Sequence, residues 1–324
     1  MKHSSALVTG STSGLGYAAA RLLAADGCRQ VIITGRSLAG VKETAAKLAA
    51  ETETHVFTPL ELELNAPTSV EAALAELVKR GRPIDFLLLN AGMVPGKERV
   101  ITAAGVEASQ APLLGHHQLT VGLLRANLLS PNARIVIAGA EPARGGVPMF
   151  SYTDVPAFAA EHFGGDRTAA VEALIRNGPN VKYVPNRTYA DAKLIIAWWT
   201  AALARRLPSG MAVYAVSPGA ATATKASRQA GLAVKYLFIP IANLIPGMNQ
   251  PVETAARRYL QASELGTDVS GQFFASAQGK FSGPIEAQRH PHLHDRASQE
   301  AAWLAVVKVS GVDLSSAASL SAMS

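Results

Sequence analysis

The 324 residues carry 30 Lys and Arg against 24 Asp and Glu, a formal charge of +6, with 48% hydrophobic and 17% charged residues. That balance describes a compact chain with a sizeable core and excludes intrinsic disorder, while the basic residues are scattered rather than gathered into the stripe a nucleic-acid surface needs. A single cysteine, Cys28, excludes an internal disulfide framework and fits a reducing compartment.

Taken in chain order, Ala6 to Thr9 reads as a short apolar strand, followed by a glycine-rich turn and a helix over Tyr17 to Ala25. Val31 to Thr34 is a second buried strand and Leu38 to Ala50 a second helix. Val56 to Leu60, Thr68 to Lys79 and Ile84 to Asn90 continue the alternation as strand, helix and strand. Past the midpoint come a long helix over Ala111 to Leu129, a strand over Arg134 to Ala138, a helix over Thr188 to Leu207 and a strand over Met211 to Val216. Gln272 to Ala275 supplies a last strand and Ala297 to Val307 a last helix. Strands alternating with helices of this length imply a parallel sheet with right-handed crossovers and helices on both faces, an α/β doubly wound Rossmann-type fold.

No repeat or linker interrupts the pattern, so one catalytic domain over 1–313 is expected, with a flexible Ser/Ala-rich tail at 314–324. No secretory leader is read ahead of the first strand, and Lys235, Pro240, Asn243 and Pro246 interrupt the apolar stretch Leu232 to Met248. A cytoplasmic chain without an integral membrane segment is the expectation.

Two constellations carry chemistry. A helix that starts directly after a strand presents free N–H groups and its positive dipole end, a seat for a pyrophosphate. Gly10, Gly14 and Gly16 let the backbone bend and approach such a ligand, and Ser11, Thr12 and Ser13 offer hydroxyl donors. Downstream, Tyr189 and Lys193 stand four residues apart on one helix face, where an ammonium can stabilise a phenolate for acid/base work.

These motifs, with Asn90-Ala91-Gly92 after the fourth strand and Ser217-Pro218-Gly219 after the sixth, make the chain resemble the short-chain dehydrogenase/reductase family over most of its length. The resemblance implies a nicotinamide cofactor across the carboxyl ends of the strands. It places Gly10 to Gly16, Leu15 included, at the pyrophosphate, Asn90 to Gly92 beneath the adenosine ribose, Glu63 and Leu64 beside the adenine, and Pro218, Gly219 and Thr222 near the nicotinamide. Gly35 stands where an acid would select NAD, and Arg36, with Ser37 beside it, offers a guanidinium to a 2′-phosphate, so NADP(H) is expected. Tyr189 is implied as the acid/base, with Lys193 lowering its pKa and binding the nicotinamide ribose.

The chain departs from the family in two places. Ala140 occupies the position of the substrate-orienting serine, and Ala111 or Pro112 that of a helix asparagine. Four explanations of Ala140 stand together: Ser151 or Thr153 supplies the donor, the substrate needs none, the chain is a binding protein that kept its cofactor, or the serine was removed by engineering.

The insertion at 141–187 has its own helical signal over Asp166 to Asn177 and carries Phe150, Tyr152, Phe158 and Phe163. With a substrate loop at 220–248 it suggests a lid and a roomy apolar pocket for a bulky carbonyl or alcohol. A weakened NADP-binding regulatory protein and a non-redox dehydratase or isomerase are the alternatives. His290, His292, His294 and Asp295 lie in a loop without cysteine support, and no metal is expected of them. His116 and His117 read as structural or solvated, Trp198 and Trp199 as core or subunit-interface residues of a monomer or homo-oligomer.

Overall fold

Period-two burial along the strands decides the architecture. In β1 (Ser5–Val8) and β2 (Gln30–Gly35), Leu7 and Ile32 enter one apolar cluster, whereas Ala6, Val8, Val31 and Ile33 enter another on the opposite face. Strands buried on both faces have no polar side, which is why they read as continuous apolar runs. The computed structural model describes residues 3–220 and 250–314.

Six more strands, β3 (Phe57–Glu61), β4 (Ile84–Leu89), β5 (Leu129–Ala138), β6 (Ala212–Val216), β7 (Phe273–Ala275) and β8 (Glu286–Ala287), complete an eight-stranded sheet ordered β3-β2-β1-β4-β5-β6-β7-β8. All pairings are parallel except that of β7 with β8. Helices α1 (Gly14–Ala25), α2 (Leu38–Thr52) and α8 (Val252–Ala262) cover one face. On the other face lie α3 (Pro67–Arg80), α4 (Ala111–Arg125), α7 (Pro185–Ala204) and α9 (Arg296–Ser310). The inserted α5 (Val155–His162) and α6 (Arg167–Arg176) pack on each other, and α6 packs on α7 and α9. The chain reverses its direction of winding between β1 and β4, so a crevice opens at the carboxyl ends of those strands.

The fold departs from expectation in two respects. The fourth helix stops at Arg125 rather than Leu129, because Asn127 turns the backbone into the left-handed region (φ 52°) and Leu129 already pairs with Ile84. Helices α5 and α8, and the two-residue β8, were not expected. Alanines and a proline blur the apolar spacing of α5, and β8 is too short to show a period, whereas α8 buries Ala255, Ala256, Tyr259 and Leu260 along one stripe that its sequence does display. Thr222, the apolar stretch Leu232 to Met248, most of the proposed loop at 220–248 and most of the tail lie outside the described residues. Among the described residues no helix is long and apolar enough to cross a membrane.

Candidate active site

The turn between β1 and α1 is built on close approach. A Cβ on Gly16 would lie 2.4 Å from the Gly10 carbonyl oxygen and 2.6 Å from Asn90 Nδ2, and one on Gly10 would lie 2.9 Å from Ala91 Cβ. Gly10 and Gly14 both have positive φ, 65° and 59°, and nothing lies within 4 Å of the Cβ that Gly14 lacks. Asn90 Nδ2 clamps the turn by donating to Thr9 O at 3.0 Å and to Gly10 O at 3.4 Å. Ser11, expected to donate to phosphate, instead turns inward. Its Oγ donates to Val8 O and Thr34 O and accepts from Thr34 N at 2.7 Å, so it holds β1 to β2. Thr12 is exposed, Ser13 makes no side-chain cap bond, and Leu15 packs on the core, leaving the first two hydroxyls beside the free N–H groups of α1. These residues fit a dinucleotide, since the glycine cradle exists only where side chains are missing.

At the far end of β2, a Cβ on Gly35 would stand 2.6 Å from Thr12 Cγ2 and 2.9 Å from Val41 Cγ2, which accounts for the absence of an acid there. The Arg36 side chain is 85% exposed and reaches Glu63 at 3.9 Å. Ser37 Oγ accepts from Gly40 N and caps α2. Leu64 packs its side chain into the core, so of the adenine pair only Glu63 is available to flank a ring. Glu61, not singled out from the sequence, pairs laterally with Gly35 and accepts from Leu38 N at 3.3 Å.

Tyr189 and Lys193 come together as the helical spacing requires, with Lys193 Nζ 5.7 Å from the centre of the Tyr189 ring. The ammonium donates to Ala138 O at 2.8 Å, at the carboxyl end of β5, and lies 4.0 Å from the Cβ position of Gly92. Burial brings Lys193 down to about 8. Tyr189 behaves otherwise than expected: burial first, then the charge of Glu141, pushes its phenol above the ordinary value, and Lys193 does not lower it in this state.

Ala140 follows β5 with an extended backbone and a buried methyl group. The two candidate substitute donors differ in availability. Thr153 is committed to Asp191, donating from N at 2.6 Å and from Oγ1 at 3.0 Å, and Ser151 is exposed. Phe150 instead approaches Tyr189, with ring centres 6.0 Å apart. Ala111 and Pro112 open α4 without a polar side chain. One turn on, His116 Nε2 meets Thr9 Oγ1 at 2.9 Å, and the same hydroxyl accepts from Ala91 N at 3.0 Å. Burial first, then Lys193, lowers His116 to about 3 and keeps it neutral. No signal in the sequence distinguished it from its neighbour His117, which accepts from Trp199 Nε1 and bonds Val312 O in the core.

Several apolar side chains in the neighbouring chain segments are exposed. They are Met93, Val94, Val100 and Ile101, in the segment after β4, and Met149 beside Phe150. Tyr183 ties that segment to the insertion by donating to Gly96 O at 2.8 Å. The loop histidines are occupied by protein partners: His292 meets Tyr152 OH at 3.1 Å and Ala143 O at 2.9 Å, and His294 bonds Gln288 O. Trp198 and Trp199 are buried in the core.

Asp191 yields a prediction about stability. Its carboxyl is 5% exposed, and burial pushes it up to about 7 against the opposing effects of the Thr153 hydrogen bonds and the Arg187 charge. The folded chain therefore holds this proton more tightly than the unfolded chain. That contribution is complete below about pH 4 and is lost as pH rises through 7, an upper bound of roughly 4 kcal/mol. Asp191→Asn keeps an acceptor for Thr153 N and removes the titration. Thermal melts of the variant should change less between pH 4 and 8 than those of the parent, and parallel curves would refute the assignment.

The comparisons with known proteins agree with this geometry. The short chain dehydrogenase model matches residues 4–151. Oxidoreductase fscI of Fusarium equiseti is 28% identical over 220 residues, covering 66% of this chain and 85% of that protein. Protochlorophyllide reductase B of Hordeum vulgare is 27% identical over 321 residues, covering 95% and 78%. The WW domain-containing oxidoreductase of Drosophila melanogaster is 26% identical, and the match spans 83% of this chain but only 61% of that longer protein. Among solved structures, an uncharacterized protein from Mycobacterium Paratuberculosis has a TM-score of 0.68 at 21% identity, covering 96% and 94% of the two chains. An actinorhodin polyketide ketoreductase with NADPH has a TM-score of 0.58 at 23% identity, covering 83% and 93%. A parallel sheet with a glycine turn after its first strand and a Tyr/Lys helix beside its fifth defines a nucleotide-dependent oxidoreductase class. The family model, the relatives and the solved structures together support the short-chain dehydrogenase/reductase family for this chain.

Proposed function

We propose that this chain is an NADP(H)-dependent oxidoreductase that interconverts a carbonyl and a secondary alcohol on a bulky apolar substrate. The observation that carries the reading is the placement of Tyr189 and Lys193 at the carboxyl edge of the sheet, beside the loop that Asn90 clamps to the glycine turn. Gly10, Gly14 and Gly16, with the free N–H groups of α1, would hold the pyrophosphate, and Thr12 and Ser13 would donate to it. The cofactor, when bound, supplies or accepts the hydride.

Tyr189 donates its phenolic proton to the substrate oxygen during reduction and recovers it in the reverse direction. A raised phenol suits the first role, since it keeps the hydroxyl protonated at neutral pH. Lys193 would hold the nicotinamide ribose, and its ammonium would moderate the phenol. Neutral His116 and Thr9 fix the loop at Ala91, which would hold the adenosine ribose. The exposed Met93, Val94, Val100, Ile101 and Met149 favour a lipophilic substrate. NADPH oxidation followed at 340 nm with 1-tetralone and 1-decalone tests the activity, and no turnover on either would count against it.

Support for NADP(H) over NAD(H) comes from Gly35 and Arg36, whereas Glu61 opposes it by occupying the Leu38 amide near the expected 2′-phosphate. Arg36→Ala should lower the preference for NADPH about tenfold, and Glu61→Gln should raise NADPH affinity. Unchanged cofactor ratios in steady-state kinetics would refute the assignment. Ala140, with Thr153 committed to Asp191, favours a second reading: a protein that binds NADP(H) and turns over little. Tight NADPH binding without turnover would select it.

A further inference from the structure

Glu141 directly follows Ala140 and is 5% exposed. Its carboxylate accepts from Ser217 Oγ and, at 3.2 Å, from Ser276 Oγ, and pairs with Arg258 Nη1 at 3.8 Å. Ser217 Oγ in turn accepts from Gly219 N at 3.1 Å, so the carboxylate fixes the turn Ser217-Pro218-Gly219 through one hydroxyl. That turn has no slack. Gly219 has φ 76°, and a Cβ there would lie 2.5 Å from Phe281 O and 2.6 Å from Arg258 Nη1.

The surroundings are rich in positive charge. Arg258 also donates to Ser217 O at 3.2 Å, Ser276 Oγ at 2.9 Å and Gly283 O at 2.7 Å. Buried Arg144 donates to the carbonyls of Ser276, Ala277 and Lys280, and Lys193 stands on the neighbouring helix. A buried carboxylate is costly to desolvate, and an amide or a carbonyl could hold the serine equally well. Its distinguishing property is charge. The oxidised nicotinamide ring is a cation and the reduced ring is neutral, so the two buried arginines around Glu141 would discriminate against the oxidised form.

We propose that Glu141 is a positioning residue for the nicotinamide end of the cleft, fixing the Ser217–Gly219 turn and supplying the counter-charge that lets a cationic pocket hold the oxidised cofactor. The proposal rests on the dinucleotide reading above. Proximity to the reacting phenol is supported by Tyr189, which is raised first by burial and then by the Glu141 charge.

The test is equilibrium binding, independent of turnover. NADPH fluorescence titration and NADP+ competition give both dissociation constants for the parent, Glu141→Gln and Ser217→Ala. Glu141→Gln should raise the ratio of the NADP+ to the NADPH constant about fivefold or more, because it removes charge while keeping an amide near Ser217. Ser217→Ala should weaken both forms by a common factor. An unchanged ratio in folded Glu141→Gln overturns the proposal. If that variant does not fold, Arg258→Gln examines the same pair from its other side: the ratio should fall, and an unmoved ratio is equally fatal. A parent that binds neither nucleotide sinks the dinucleotide reading itself, an outcome distinct from binding with an unmoved ratio.

Discussion

Replacing Tyr189 with phenylalanine should lower kcat for carbonyl reduction by roughly 10²- to 10⁴-fold, the usual worth of a positioned general acid. The variant keeps the ring that packs near Phe150 and lies beneath the Lys193 ammonium. Only the hydroxyl is lost. NADPH affinity should therefore change little, and the deficit should appear in kcat rather than in KM. Steady-state kinetics with 1-tetralone, together with NADPH fluorescence titration, separate the two effects. Retention of most of the activity would mean that the proton comes from another group, and the assignment of Tyr189 would fall.

The second large effect runs in the opposite direction. Ala140→Ser should raise kcat/KM for carbonyl reduction by about 10²-fold, because one preorganised donor at a developing oxyanion is typically worth that much. Ala140 has φ −160° and ψ 153°, extended backbone that serine adopts without strain. The added oxygen would sit on the chain segment packed against α7, where Thr153 is already committed to Asp191 and Ser151 is exposed. Rate assays of the two proteins at equal, saturating NADPH give the answer. If the rate does not rise, the reading as a cofactor-binding protein with weak turnover gains at the expense of the reductase.

The two departures from the family pattern differ in kind once their neighbours are known. Losing the serine leaves a methyl group, so the cost falls on chemistry. Losing the helix asparagine coincides with His116 one turn further on, tied through Thr9 to the Ala91 amide. That contact maintains the geometry of the loop. A neutral imidazole held at about 3 cannot serve as a cation near neutral pH, so His116 orients and does not neutralise.

The sequence by itself determined the parallel strands of the sheet and the two chemical constellations. Strands such as Ile84–Leu89 are buried on both faces and so spell themselves as apolar runs, while the glycine turn and the Tyr189/Lys193 spacing are local patterns within a few residues of chain. Only the tertiary structure decided what surrounds them. Ser11 faces inward because its hydroxyl meets the backbone of Thr34, Thr153 is taken by Asp191, and Glu141 finds Ser217 and Arg258. These partners lie tens of residues apart along the chain and leave no periodic trace. Folding brings their polar groups out of water into contact, and burial then sets their charge states, which spacing along a sequence does not encode.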